Sequence, residues 1–402
     1  MSEGTSVAEV ARRIGVTPTT LRRWIDTGVV PADGNGGGMS PASVAVARAV
    51  ARLRDRGHSL QEIREATESG KLASSYIEGL LPEAEPGWTL EDAARETGLE
   101  PALIERIFTA IGFGPSMERL TDADMQLLRY TAAVLAAGFP LVAFLQLVRV
   151  YGQAISQIAD AEVRLFHLYV HEPLMRDGVP GWEMAEEMEG LARELLPLAS
   201  PIMEHAHTRF LQHFIQQDLV NHMEAELGDG EGGERILGRM RVAIAFADLA
   251  GYTRLTEEIG EEEAVSVVER FVEQVEVTLP DDARVVKTIG DEVMIVGSDP
   301  SALVDWAVGF QQLQTERPLP RIGVHAGEVL YREGDYYGRE VNLAARVAAR
   351  AAGGEVLATR PVVDVAGGHL EFEPIGEVRL KGFSYATELF VARGIEDEDD
   401  DA

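Results

Sequence analysis

The chain has 402 residues, with 36 Lys and Arg against 67 Asp and Glu for a formal net charge of -31. That length accommodates several domains of roughly 100 to 200 residues each, and the acidic balance excludes a general nucleic-acid coat, which needs surplus cations to displace counterions from phosphates. No cysteine is present, so disulfides and thiolate chemistry are excluded. A reducing cytoplasm is the natural compartment. The N-terminus, MSEGTSVAEV, has neither the basic flank nor the apolar core of a signal peptide.

From Thr5 to about Lys71 the sequence reads as a helix, a turn at Gly15, and a second helix opened by Thr17 and Pro18. Proline suits a first helical position, where the missing N–H has no intrahelical partner anyway. This is helix-turn-helix grammar. A Gly-rich loop, Gly34 to Gly38, leads into SPASVAVARAVARLRDRGHSLQEIREA. That order, with Leu21-Arg22, Trp24 and RGHSLQEI, resembles the winged-helix domain of the MerR family. The wing, PADGNGGGM, lacks the basic and aromatic residues that would grip DNA, and Arg22 and Arg23 are the obvious phosphate contacts on the second helix. A helix-turn-helix reused for protein contacts therefore stands beside DNA binding.

The plan recurs from Thr89. VAEVARRIGV (Val7 to Val16) aligns with LEDAARETGL (Leu90 to Leu99), Thr17-Pro18 with Glu100-Pro101, Ser40-Pro41 with Thr121-Asp122, and RGHSLQEI with AGFPLVAF. A tandem duplication of one helical unit is expected. The second copy has Ala102, Ile104 and Glu105 where the first has Thr19, Leu21 and Arg22, which argues against DNA there. The uncharged run Thr131 to Val148 approaches the minimum length of a membrane span. Gly138-Phe139-Pro140 breaks it, so two short helices are expected instead, with no membrane span.

Tyr151 to about Glu226 reads as helical throughout and holds six of the nine histidines: His167, His171, His205, His207, His213 and His222. A pH-responsive cluster and ordinary surface roles are both open, and no HExxH metal spacing occurs. GDGEGGE, Gly228 to Glu234, has the composition of a flexible linker. EDEDDD, Glu396 to Asp401, has that of a solvated acidic tail.

Past Arg241 strands alternate with helices. Val242, Ile244 and Phe246 alternate along a strand that delivers Asp248. A helix with Val265, Val268, Val272 and Val275 follows, then a hairpin at Arg284 to Val296, a helix near Ala302 to Leu313, the strand RIGVHAGEVLY, the helix VNLAARVAARA and the strand EVLAT. This βαββαβ order predicts a ferredoxin-like domain, an antiparallel sheet with helices on one face. The fold class expected for the whole is α+β and multidomain, with an all-α N-terminal region.

Taken singly, the chemistry-bearing residues have plain readings. An Asp after an apolar strand is commonly a cap or turn former, Asn342 and Arg346 share a helix face by their spacing, and Lys287 and Asp291 suit a hairpin ion pair. Their joint occurrence discriminates. FADLAGYT, KTIGDE, GDYYGREVNLAARV and LKGF, in this order and spacing, resemble the catalytic domain of class III nucleotidyl cyclases from about Arg241 to Arg393. The resemblance implies metal ligation by Asp248 and Asp291, with two Mg²⁺ or Mn²⁺ ions per site. It implies adenine selection by Lys287 and Asp335, and transition-state roles for Asn342 and Arg346. Arg321 and Lys381 match more loosely with residues that hold the triphosphate. ATP is then the substrate and cyclic AMP and pyrophosphate the products. A guanylate cyclase would carry other residues at Lys287 and Asp335, because guanine presents the opposite hydrogen-bond pattern.

In this family the metal aspartates come from one subunit and the other residues from its twin, which implies a homodimer. The division expected is a MerR-like unit at 1–75, a helical regulatory domain at 76–226, a linker at 227–240, the catalytic domain at 241–394 and the tail at 395–402. The competing reading is a DNA-binding transcription regulator whose cyclase-like domain only senses nucleotide.

Overall fold

The computed structural model describes residues 5–31, 38–69, 71, 87–114, 119–179, 181–227 and 238–395. The centre of the wing, the Gly-rich linker at 228–237 and the acidic tail from residue 396 lie outside the described residues. The chain forms two compact units, Met1–Gln212 and His213–Ala402.

The first unit opens with α1 (Val7–Arg13) and α2 (Pro18–Asp26), capped by the side chains of Ser6 and Thr17, and continues with α3 (Pro41–Asp55) and α4 (Leu60–Glu68). Helical spacing places Val10, Leu21, Trp24, Val46, Val50 and Ile63 in one core. The repeat follows the same order. Helices α5 (Leu90–Thr97), α6 (Pro101–Ile111), α7 (Asp122–Ala136) and α8 (Leu141–Phe166) enclose a second core around Ile104, Ile107, Met125 and Leu128. Both copies carry one isolated antiparallel bridge before the third helix, Thr5 to Met39 and Trp88 to Leu120. In both, that third helix has 15 residues and a Ser or Thr cap, Ser40 or Thr121.

The run Thr131 to Val148 is broken as expected, with α7 ending at Ala136 and α8 starting at Leu141. One continuous stretch, Leu141–Arg176, is nevertheless long and apolar enough to cross a membrane by length and composition. It passes through a π-type turn at His167–His171 into α9 (Glu172–Arg176). Of the histidines, His167 and His171 meet, Nδ1 to Nδ1 at 2.9 Å, with His171 buried, while His205, His207 and His213 are exposed. Helix α10 (Gly181–Leu227) then crosses the boundary, so its turns from His213 onward belong to the second unit.

The second unit is built on an eight-stranded sheet. In chain order come β1 (Arg239–Leu249), α11 (Tyr252–Ile259), α12 (Glu261–Thr278), β2 (Ala283–Ile289), β3 (Glu292–Gly297), α13 (Pro300–Leu313), β4 (Pro320–Arg332), β5 (Asp335–Tyr337), α14 (Arg339–Arg350), β6 (Val356–Thr359), α15 (Arg360–Val363), β7 (Leu370–Val378) and β8 (Thr387–Gly394). The strands run β2-β3-β1-β4-β6-β8-β7, with β5 paired to β4.

Two features correct the expected plan. The sheet is mixed, because β4 and β6 pair in parallel, and helices cover both faces. Ala243, Ala245 and Ala247 of β1 pack with Phe271 of α12 and Trp306 and Phe310 of α13. Val242, Ile244 and Phe246 pack on the other face with Ala344 and Ala348 of α14. Every residue from Val242 to Leu249 is buried. Such a continuous apolar run signals a strand covered on two sides, and alternation signals one.

Helix α14 sits unusually close to the sheet. A Cβ built on Gly323 of β4 would lie 2.2 Å from the Ala348 backbone nitrogen, and one on Gly327 would lie 2.8 Å from Glu340 Cγ. Gly323, His325 and Gly327 alternate along β4 and so share a face. Two absent side chains and one buried imidazole form the seat of α14.

Candidate active site

Strand register assembles the first cluster. Central β1 places Asp248 opposite Glu292 of β3 on one side and opposite Arg321 of β4 on the other. Asp291 lies one residue before Glu292 in the β2–β3 turn, where Gly290 takes a positive φ of 66°. Arg321 Nε donates to Asp248 Oδ2 at 2.7 Å, and Nη2 donates to the same oxygen. Asp248 is 8% exposed. Burial, then the hydrogen bond and charge of Asp248, push the Asp291 carboxyl up to about 6. Burial and the same neighbour raise Glu292, which spacing had not singled out.

Two carboxylates held against each other at a strand end repel unless a cation lies between or beside them. Arg321 supplies part of that charge here. The donor set is hard oxygen without nitrogen or sulfur, which suits Mg²⁺ or Mn²⁺. Among the described residues no group of three or more His, Asp or Glu forms a complete protein cage.

The second cluster is Lys287 with Asp335. Lys287 projects from β2 and Asp335 opens β5, and Lys287 Nζ donates to Asp335 Oδ2. Asp335 Oδ1 accepts from the Tyr336 backbone N–H at 2.8 Å. Both side chains are partly exposed, 39% and 25%, so a ligand edge can reach them.

The third group lines a cleft of about 670 Å³ formed by Arg339, Asn342, Arg346, Lys381, Gly382, Phe383, Ser384 and Tyr385. Spacings of three and four along α14 put Arg339, Asn342 and Arg346 on one helix face. Lys381 reaches the same cleft from the β7–β8 loop, whereas Arg321 lies with Asp248. Among the described residues its charged lining is Arg339, Arg346 and Lys381, in a chain of net charge -31. Arg339 was missed from sequence, although its position one turn before Asn342 marks it. Its guanidinium lies 5.6 Å from the centre of the Phe383 ring.

His325 was missed too. Its Nδ1 lies 2.8 Å from Thr359 Oγ1 and its Nε2 lies 2.7 Å from Glu340 Oε2. A carboxylate only accepts, so Nε2 carries the proton and Nδ1 accepts from the threonine hydroxyl. The link ties the first turn of α14 to the sheet. Burial lowers the His325 pKa from the ordinary 6.5, against the opposing pull of Glu340. Below 6.5 the unfolded chain therefore binds a proton that the folded chain resists, and stability falls as pH falls. Melting temperatures measured downward from pH 7 should decline more steeply for the wild type than for His325→Gln. Parallel declines would remove His325 as a source.

Residues 5–69 match the MerR HTH regulatory protein family, and residues 238–393 match the adenylate and guanylate cyclase catalytic domain. The chain is 31% identical over 278 residues to an adenylate cyclase of Streptomyces coelicolor, covering 67% of this chain and 69% of that one. It is 27% identical over 361 residues to a pH-sensitive adenylate cyclase of Mycobacterium tuberculosis, covering 86% and 87%. The crystal structure of the adenylyl cyclase CyaB from P. aeruginosa is 22% identical and covers 40% of this chain and 97% of its own, with a TM-score of 0.36.

Proposed function

The chain belongs to the class III adenylate cyclases, and we propose that it converts ATP to 3',5'-cyclic AMP and pyrophosphate at two sites shared across a homodimer. What supports this reading most directly is the meeting of Asp248 and Asp291 at the end of a strand buried on both faces. These carboxylates would hold two divalent ions, Mg²⁺ or Mn²⁺, which would supply activation of the ribose 3'-hydroxyl and neutralisation of the triphosphate.

The other residues bind and orient. The adenine edge opens the Lys287–Asp335 ion pair: the ammonium donates to N1 and the carboxylate accepts from the N6 amine. Asn342 orients the ribose, and Arg346 offsets charge growing on the oxygens of the α-phosphate during in-line attack. Lys381 faces the phosphates from the cleft, and Arg321 leaves Asp248 to meet them. A second copy supplies the aspartates that face Asn342 and Arg346, and two-fold symmetry makes two such sites. The helical N-terminal half regulates the reaction.

The test is Mn²⁺–ATP and Mn²⁺–GTP turnover for the wild type, Lys287→Ala and Asp335→Ala. Wild type should strongly prefer ATP, and each variant should lose about tenfold or more of that preference, since a buried polar group left unpaired by the wrong base sets such ratios. A wild type that prefers GTP, or variants that keep the full preference, would sink the base-reading assignment.

A further inference from the structure

Arg284 belongs to none of the motifs, yet it stands beside both base-reading residues. It lies in β2 three positions before Lys287, and its Nη2 donates at 3.2 Å to the hydroxyl of Tyr336, the residue after Asp335. Its guanidinium carbon is 5.7 Å from the Tyr336 ring centre and 5.3 Å from that of Phe214. The cation is thus flanked by two aromatic faces, one of them contributed by α10. One turn further along α10, Gln217 Nε2 donates to the backbone oxygen of Asp281 at 2.6 Å, immediately before β2. This stretch of α10 therefore touches the chain twice around the start of β2, and Tyr336 is 7% exposed and packs in the core beneath α14.

We propose that Arg284 is a positioning residue for the Lys287–Asp335 pair and that α10 controls it through Phe214 and Gln217. Arg284 fixes the spacing between β2, which carries Lys287, and β5, which carries Asp335, by bonding to Tyr336. Phe214 fixes Arg284 in turn, because a cation prefers the face of a ring to an unconstrained place in water. Movement of α10 then changes how well the adenine edge fits and leaves the metal carboxylates and Arg346 untouched. The helical half acts on substrate affinity, and the chemical step keeps its rate. The inference rests on the reading of Lys287 and Asp335 as base-reading residues.

The experiment uses the full chain and its variants Phe214→Ala, Arg284→Gln and the double variant, with Arg284→Lys and Phe214→Trp as conservative partners. Phe214 is 40% exposed, so its truncation leaves no buried cavity. Steady-state kcat and KM for Mn²⁺–ATP are measured, together with equilibrium binding of 3'-deoxy-ATP, which lacks the attacking hydroxyl. Expected is a rise of about five- to twentyfold in KM and in the 3'-deoxy-ATP dissociation constant, with kcat within about twofold of wild type. The double variant should be no worse than the worse single one, because both break one sandwich, and the conservative variants should recover most of the affinity. Unchanged KM in either single variant, a fall confined to kcat, or additive losses in the double variant would overturn the proposal. Lys287→Ala separates the two layers. If it raises KM while Phe214→Ala and Arg284→Gln do not, this inference alone fails. If Lys287→Ala also leaves KM and the ATP preference intact, the base-reading assignment fails with it.

Discussion

Asp248→Ala and Arg346→Ala should each lose at least about a hundredfold of ATP turnover, and an equal mixture of the two proteins should regain about a quarter of the wild-type rate. The first loss follows from removing a carboxylate that is 8% exposed, adjoins Asp291 and is paired with Arg321. The second follows from removing the guanidinium that lines the cleft beside Asn342 and Lys381. In the shared-site arrangement each hybrid dimer keeps one intact site, made of Asp248 from the Arg346 variant and Arg346 from the Asp248 variant. Random exchange makes about half of the dimers hybrid, which sets the quarter. Single variants with wild-type rates would end the metal and transition-state assignments. No recovery on mixing, with subunit exchange shown by a tagged copy, would end the shared site.

Gly323→Ala should destabilise the catalytic unit by about 3 kcal/mol or more, the upper end of overpacking costs. The new methyl would lie 2.2 Å from the Ala348 nitrogen and 2.6 Å from its Cα. These are backbone atoms of α14, and no side-chain rotation relieves them. The helix must withdraw, and Asn342 and Arg346 withdraw with it, so turnover should fall in parallel with stability. Gly309, inside α13, is the control, since a Cβ there meets nothing within 4 Å. Gly309→Ala should be stabilising by about 0.5 to 1 kcal/mol through helix propensity. Urea unfolding of the two variants checks both signs. Equal midpoints would show that α14 does not depend on its glycine seat.

Much of this protein can be read from its residues in order. The repeat is visible because a helical unit is defined by local signals: Thr17-Pro18 and Glu100-Pro101 begin a helix wherever they stand, and Gly138-Phe139-Pro140 ends one. The break between α7 and α8 follows from the same chemistry. The chemistry-bearing residues are also legible one by one, since Asp248 follows an apolar run, Lys287 and Asp291 bracket a glycine turn, and Asn342 and Arg346 are one helical turn apart. Ala243, Ala245 and Ala247 carried the sign of a second covered face too, although the larger Val242, Ile244 and Phe246 draw attention to one face alone.

Other facts required the tertiary structure, and for one reason: they are set by pairing between segments distant in sequence. Register alone puts Arg321 against Asp248, across 73 positions. The glycine seat at Gly323 acquires meaning only when α14 lies on it, and His325 becomes a strut only when Thr359 and Glu340 arrive on either side. Lys287 meets Asp335 because β5 folds back toward β2. The sequence by itself determined which residues hold charge, which turn the chain and which helices repeat. Only the tertiary structure decided which charges meet, because a side chain's partner depends on strand order and helix seating, and these are fixed by the packing of the whole unit.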